Sequence, residues 1–301
     1  MAHHHIWPPA TLNVIPHVEL NQGGYYVKGG LYKIAEALHK LAISLGAEFK
    51  FNSEVSRIEI QSNVVSGIKL EDGNTLKCDL LFSNSDATET IVKLLPDQSI
   101  SKRTKSRQQN IEPSCSGFVL MLGCKKRWTD LKHHNIFFSS DYRKEFTDIF
   151  KNKKLPEDPT IYVANTSYSD AGHAPENASN LFILVNAPYL TETQDWDNIS
   201  STYSNFIIHE LEKRGLKGLS DSIEFQKVIT PEDFSNLYRS NKGSIYGTSS
   251  NNKFSAFVRP RNKVRKFKNL YLVGGSTHPG GGIPLVVQSA FNAVELLDRL
   301  H

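Results

Sequence analysis

The residues best suited to chemistry form a glycine-rich segment near the C-terminus, between an apolar run and an amphipathic segment. The apolar run 269–273 predicts a buried strand, and residues 274–284 lead from it into a helix predicted to end near Leu300. Pro284 suits the first helical position, because it lacks an N–H and its φ is already helical. Glycines leave room for a bulky planar group beside the backbone, and free N–H groups at a helix start attract an electron-rich edge. The segment therefore predicts a cofactor contact.

Two familiar phosphate-binding motifs do not describe this segment. It has no Gly-Lys-Ser/Thr ending, as a P-loop would, and the Gly-x-Gly-x-x-Gly spacing fails after Gly282. The remaining alternative is a glycine-rich loop that only lets a helix pack tightly on a sheet.

Composition places the chain among ordinary globular proteins. Of its 301 residues, 39% are hydrophobic and 22% charged, and the formal net charge is +4. The cysteines (Cys78, Cys115 and Cys124) are odd in number and never spaced C-x-x-C, which suggests neither a disulfide framework nor a zinc site. No apolar run approaches the roughly 18 residues of a membrane helix. Nucleic-acid binding is not expected, since no recognised fold or aromatic-basic stripe accompanies the charge.

The order of predicted elements indicates an α/β fold with an inserted mixed α/β domain. A helix follows Gly29-Gly30 and closes at Gly46, and strands are predicted over 54–61, 64–70 and 78–82. Further strand signals at 116–122, 160–165 and 181–185 alternate with helices, one of which carries a stripe from Trp196 to Leu211. We divide the chain into a partial cofactor domain (1–95), a substrate domain (96–262) and a return to the cofactor domain (263–301).

Five motifs in order give the chain a family resemblance from about Pro8 to the C-terminus. They are Tyr25–Gly30, Ser83–Ala87, His133–Ser139, Leu155–Thr160 and Leu272–Pro284. Together they resemble the bacterial phytoene desaturase family of FAD-dependent carotenoid desaturases. This resemblance implies an amine-oxidase/glutathione-reductase-like FAD-binding domain, with a substrate domain over the isoalloxazine.

Family members are longer, and their dinucleotide fingerprint lies upstream of the region that resembles this chain. The resemblance thus implies the C-terminal portion of such an enzyme, without its N-terminal Rossmann βαβ unit. It also implies an apolar polyene substrate and a cytoplasmic protein held peripherally at the inner face of the cell membrane.

The resemblance assigns cofactor contacts residue by residue. An adenine contact through backbone groups falls on Val55, for which core packing is the alternative. Ser83 and Asn84 are as compatible with a turn as with contact. The C-terminal flavin contact falls on Gly275, Ser276, Gly281, Gly282, Ile283 and Pro284.

The implied reaction is desaturation of a carotenoid or isoprenoid polyene such as phytoene, with hydride transfer to flavin N5. A helix N-terminus at 282–284 can stabilise the charge left on the flavin. The cofactor does the difficult chemistry, so no catalytic acid or base is assigned. The alternatives are a hydroxycarotenoid 3,4-desaturase, a carotenoid isomerase, and a non-catalytic lipid-binding remnant.

Histidines and basic clusters complete the candidates. His278 is a possible base, but a histidine that hydrogen-bonds its own loop is the preferred interpretation. His133 and His134 are expected on opposite faces of a strand, which opposes metal binding. Basic clusters at 102–107, 125–127 and 259–268, with Phe254, Phe257 and Phe267 nearby, are solvated surface or contacts to an anionic membrane.

Overall fold

The computed structural model describes residues 14–249 and 259–298. The chain packs as two units. The first unit contains residues up to 49 together with 117–231, and the second contains 50–116 together with residues from 232 onward. Phe254 and Phe257 lie outside the described residues.

The elements combine helices with short and medium strands. The strands are β1 Val55–Gln61, β2 Val64–Leu70, β3 Thr75–Lys77, β4 Leu81–Ser83, β5 Ser116–Cys124, β6 His134–Phe137, β7 Ile161–Asn165, β8 Ser179–Ala187, β9 Ile223–Ile229 and β10 Leu270–Leu272. The helices are α1 Val14–Gln22, α2 Tyr32–Ser44, α3 Lys102–Gln109, α4 Tyr142–Thr147, α5 Thr166–Ser169, α6 Trp196–Lys213, α7 Leu219–Ser222, α8 Pro231–Tyr238 and α9 Ile283–Asp298.

The first unit is built on a five-stranded sheet in the order β6-β7-β8-β5-β9. Along β8 buried and half-buried residues alternate, which is the period of a sheet with one face against the core. Helix α6 covers the core face, where Trp196 stacks on Phe118 with ring centroids 6.1 Å apart. The Tyr203 hydroxyl donates to the Pro156 carbonyl at 3.1 Å, so this buried phenol keeps a hydrogen-bond partner.

The second unit combines an antiparallel meander with a parallel strand pair. Strands β1, β2 and β3 follow one another in the meander, and β10 pairs in parallel with β4. A separate core joins the two parts, with Ile58 and Val65 from the meander against Leu270 and Leu272 of β10. The side-chain oxygen of Asn269 accepts from the Val65 N–H at 2.7 Å, which ties the meander to the start of β10.

Most predicted elements are confirmed, with boundaries shifted by a few residues. Helix α2 ends where Gly46 adopts φ +89°, as expected for a C-terminal glycine. The apolar run 78–82 is the exception: only Leu81–Ser83 forms a strand, and Phe82 is 37% exposed rather than covered on both faces. Ahead of that strand, the Cys78 N–H bonds to the Ser66 carbonyl instead, which turns the chain away from β10.

Two amphipathic helices carry apolar residues that remain exposed. Helix α2 buries none of its residues, and Leu38 and Leu41 are each 55% exposed. In α9 the buried side chains are the small Ser289 and Ala293, and Phe291 is 62% exposed. The exposed stripe of α9 consists of Ile283, Val287, Phe291 and Val294.

Candidate functional site

The turn that follows β10 is held against the end of β4. The Val273 N–H donates to the Ser83 carbonyl at 2.9 Å, extending the parallel pair. Gly274 then adopts φ +104°, and a Cβ placed there would lie 2.4 Å from Asn84 Oδ1. Only glycine fits this position without strain. Ser83 and Asn84 therefore shape the turn.

A buried polar network fixes the inside of the same turn. Ser289 Oγ, on α9, accepts from the Gly274 N–H at 3.1 Å and lies 3.0 Å from Thr277 Oγ1. The Asn262 Nδ2 group donates to Ser289 Oγ at 2.9 Å and to the Leu272 carbonyl at 3.0 Å. Because these side chains are buried and paired, the turn has one well-defined conformation.

The outside of the turn contacts the segment after β4. Ser276 Oγ accepts from the Ala87 N–H at 2.9 Å, and Gly247 packs so closely that a Cβ there would lie 2.7 Å from the Ser276 Cα. Beside them is a cavity of about 10 Å³ lined in part by Asp86 and Thr88. Burial raises the pKa of the Asp86 carboxyl, while N–H bonds from Thr88 and the 241 backbone partly offset that effect.

A guanidinium braces the turn from a third direction. Arg259 donates to the Gly275 carbonyl at 3.1 Å, the Thr248 carbonyl at 3.2 Å and the Tyr246 carbonyl at 3.4 Å. A single planar donor thus joins the turn to the 246–248 segment. Burial lowers the pKa of this guanidinium from its ordinary value.

The start of α9 is open, in contrast to the inside of the turn. Gly282, Ile283 and Pro284 are exposed, and a Cβ added at Gly282 would meet no protein atom within 4 Å. Pro284 is the second residue of the helix, because the helix begins at Ile283. The first intrahelical bond runs from the Val286 N–H to the Gly282 carbonyl at 2.9 Å. The residues present therefore fit a flat, electron-rich cofactor edge, with room beside the backbone and unshared N–H groups facing it.

The other predicted contact and the candidate base lie in different settings. Val55 is the first residue of β1, where it is half-buried and pairs with Leu70, so it belongs to the meander. The His278 N–H donates to the Pro260 carbonyl at 2.9 Å, and its carbonyl accepts from Asn262 at 3.0 Å. The residue is exposed, and its backbone is what holds the loop.

The expectation that His133 and His134 lie on opposite faces is wrong. Their ring centroids are 4.4 Å apart. The physical reason is that β6 begins only at His134, so His133 precedes the strand and does not follow its alternation. Within the described ranges, no group of three His, Cys, Asp or Glu side chains is placed to hold a metal ion.

The basic clusters differ in their surroundings. On α3, Lys105 pairs with Asp97 at 2.6 Å, while Lys102, Arg103 and Arg107 are exposed. Phe267 is fully buried, so it packs in the core of the second unit. Over residues 14–249 and 259–298, no helix has the length and apolar character required to cross a bilayer.

Sequence reasoning identified the glycines but missed the side chains that hold them. Asn262, Ser289 and Arg259 were not singled out. A signal existed for Ser289, because a serine facing inward on an otherwise apolar helix needs a buried partner. Nothing in the sequence pattern indicates that Asn262 provides that partner.

Comparisons with known proteins agree with this geometry. The family model described as flavin containing amine oxidoreductase matches residues 10–297. The 4,4'-diaponeurosporene oxygenase of Staphylococcus haemolyticus is 35% identical over 97% of this chain and 58% of its own length. The 1-hydroxycarotenoid 3,4-desaturase of a Flavobacterium species is 36% identical over 97% of this chain and 59% of its own length. The chain thus spans a little under three-fifths of these relatives.

Solved structures share the fold at low sequence identity. A redesigned putrescine oxidase has a TM-score of 0.59 at 11% identity, covering 90% of this chain and 53% of that protein. An oxidoreductase from Methanosarcina mazei has a TM-score of 0.56 at 17% identity, covering 89% and 55%. The mixed α/β fold expected from the sequence is confirmed at this level.

Proposed function

Because the chain belongs to the family of flavin-containing amine oxidoreductases, we propose that its glycine turn forms part of an FAD site for the oxidation of a carotenoid-type polyene. The expected family and its flavin cofactor agree with the family match. The observation that carries the proposal is the open start of α9, next to a turn held in place by a buried network. The proposed flavin contacts are Gly275, Ser276, Gly281, Gly282, Ile283 and Pro284, with Val55 as the proposed adenine contact.

The residues of this chain contribute position and electrostatics. When bound, FAD accepts the hydride that the substrate carbon gives up. The first-turn N–H groups of α9, at Ile283 and Leu285, carry about half a positive charge toward an electron-rich ring edge. Because the Ser289 network fixes the preceding turn, these groups need little reorganisation to meet the ring.

The proposed reaction is desaturation of a carotenoid or isoprenoid polyene, phytoene being one such substrate. Support comes from two relatives whose names specify carotenoid-type polyenes. The name of the Flavobacterium relative favours hydroxycarotenoid 3,4-desaturation as the second candidate. Product analysis of the gene in hosts that supply each polyene separates these reactions from isomerisation: desaturation lowers product mass by two hydrogens per step, and isomerisation leaves it unchanged.

We further propose that this polypeptide corresponds to the C-terminal portion of a longer flavoprotein, with a strand–glycine–helix unit packed on α9. The exposed stripe of α9 supports this, since an apolar stripe on an amphipathic helix normally faces a packing partner. The two-stranded sheet β4-β10 supports it as well, because parallel pairs are usually parts of larger, covered sheets.

The flavin site is tested by titrating the purified chain with FAD and following flavin fluorescence. Gly281→Ala is the informative variant: its new Cβ would meet the Tyr246 Cα at 3.5 Å, an ordinary contact, so the fold should tolerate it. We expect FAD affinity to fall about tenfold or more while urea stability stays unchanged. Gly73→Ala, on a distant hairpin, is the control. A colourless, stably folded chain that does not respond to FAD would favour the lipid-binding remnant.

We also propose peripheral attachment to an anionic membrane surface through α3. Each exposed basic residue near such a surface contributes roughly 1 kcal/mol, so three together correspond to on the order of 100-fold in partitioning. Co-flotation with anionic vesicles should therefore be lost in a Lys102→Gln, Arg103→Gln, Arg107→Gln variant and at high salt. Flotation that salt does not change would contradict the electrostatic attachment.

A further inference from the structure

A cluster of histidine and tyrosine side chains lies at one end of an apolar sheet face in the first unit. His134 Nδ1 lies 2.7 Å from the Tyr162 hydroxyl, and His133 Nδ1 lies 2.8 Å from Ser169 Oγ. The Tyr26 ring packs edge-on to His133, with centroids 4.8 Å apart. Three separate parts of the chain, namely the 23–30 loop, β6 with β7, and α5, therefore converge on the two imidazoles.

The 23–30 loop is fixed where it meets the cluster. The Gly29 N–H donates to Asp170 Oδ2 at 2.9 Å, and a Cβ at Gly30 would lie 3.3 Å from the His173 ring. Asp170 also lies 3.6 Å from His173 Nε2. The cluster is thus framed by a defined loop.

Each imidazole has one ring nitrogen engaged and one available. Because Nδ1 of both rings is bound, their Nε2 atoms are left to hydrogen-bond something else, as donor or acceptor according to the tautomer. Among the described residues, neither Nε2 atom has a hydrogen-bond partner. Burial and the neighbouring imidazoles lower the pKa of His133, which favours its neutral form at neutral pH.

The strand register continues the cluster into an apolar surface. Residues two apart on a strand share a face, so His134 is followed on its face by Ile136. Ile136 pairs directly with Tyr162, which in turn pairs with Leu184 on β8. This face is opposite to the buried core face that contains Ile161 and Val163, and Ile136 is 53% exposed. An elongated apolar molecule lying along these rows would bring its end to the imidazoles.

We propose that the His133–His134–Tyr162 cluster binds the oxygenated end group, a hydroxyl or carbonyl, of an elongated isoprenoid. The inference rests on the proposed function, because it takes the polyene class from there and adds end-group recognition. A neutral imidazole can donate to a carbonyl or hydroxyl oxygen and can also accept from a hydroxyl. The apolar rows recognise the hydrocarbon, and the cluster discriminates by the oxygen atom.

The test compares two probes that differ by one oxygen: geranylgeraniol and the hydrocarbon that lacks its hydroxyl. Binding to the full chain is followed by NMR of ring-labelled histidines, with His133→Phe and His134→Phe used to assign the two signals. Since a hydrogen bond contributes about 0.5–1.5 kcal/mol net, the alcohol should bind about 2- to 12-fold tighter and shift both signals.

The variants separate this inference from the proposed function. His133→Asn and His134→Asn keep an acceptor near the Nδ1 position and lack Nε2, so they preserve local contacts where phenylalanine would disturb folding. They should remove the preference for the alcohol and leave hydrocarbon affinity unchanged, whereas Ile136→Ala should weaken both probes equally. Hydrocarbon binding with no alcohol preference in the wild type, or with a preference that survives in the Asn variants, overturns the inference and leaves the polyene function standing. Failure of both probes to bind contradicts both.

Discussion

The Ser289→Ala substitution probes the network that holds the glycine turn. It removes the Oγ atom that accepts from the Gly274 N–H at 3.1 Å and from Asn262 Nδ2 at 2.9 Å. Asn262 keeps the Leu272 and His278 carbonyls, and Thr277 Oγ1 keeps the Gly274 carbonyl at 2.9 Å. The buried Gly274 N–H, in contrast, loses its acceptor.

The size of the effect follows from that single orphaned donor. Leaving a buried N–H unpaired costs about 1–3 kcal/mol, and each 1.4 kcal/mol is a factor of about ten in an equilibrium. Opening of the turn should therefore become about 5- to 150-fold more frequent. Hydrogen exchange of the peptide spanning 270–290, followed by mass spectrometry, measures that change directly.

A neighbouring residue on the same helix provides the control. Gln288 is exposed and bonds to Asn292 at 2.8 Å, so Gln288→Ala should leave exchange of the turn unchanged. If Ser289→Ala exchanges no faster than Gln288→Ala, the reasoning that this hydroxyl fixes the turn is refuted.

Three further predictions concern the same unit. Gly274→Ala should destabilise it more than Gly73→Ala in urea titrations followed by circular dichroism: both have positive φ, but at Gly274 an amide oxygen lies 2.4 Å from the new Cβ, and at Gly73 nothing lies within 4 Å; equal losses would contradict this. Arg259→Lys should speed exchange of the 246–248 segment, because an ammonium cannot donate in a fixed fork to Gly275 and two other carbonyls; unchanged exchange would show that the fork is dispensable. Asp86→Asn should gain stability relative to wild type as pH rises from about 4 toward 7, since burial raises the folded-state pKa of Asp86, the native state then binds more protons than the unfolded chain, and wild-type stability falls over that range; parallel pH curves would contradict it.

Local patterns made much of the fold predictable. The period of α6, the hairpin at Asp72-Gly73 and the glycine ending α2 are set by residues close together in the chain, and all three are found. The strand expected over 78–82 was too long because apolar content alone does not show where a partner strand begins. Strand β4 extends only as far as its pairing with β10, which is about 190 residues away in sequence.

The candidate site was predictable only in part, for a similar reason. Glycines after a strand and before a helix indicate a cofactor turn by their own chemistry. The contacts that fix the turn join residues distant in sequence, such as Ala87 with Ser276, 189 positions apart. His133 and His134 meet because β6 starts one residue later than the apolar pattern suggests.

The most direct measurement of the central claim is hydrogen exchange of the chain with and without saturating FAD, read at the amides of residues 281–286. The account predicts slower exchange of the Ile283 and Leu285 amides on adding FAD, with little change in the β1–β2 hairpin tip at Ser62 and Asn63. Saturable FAD binding that leaves the start of α9 unprotected would place the flavin elsewhere and contradict the account.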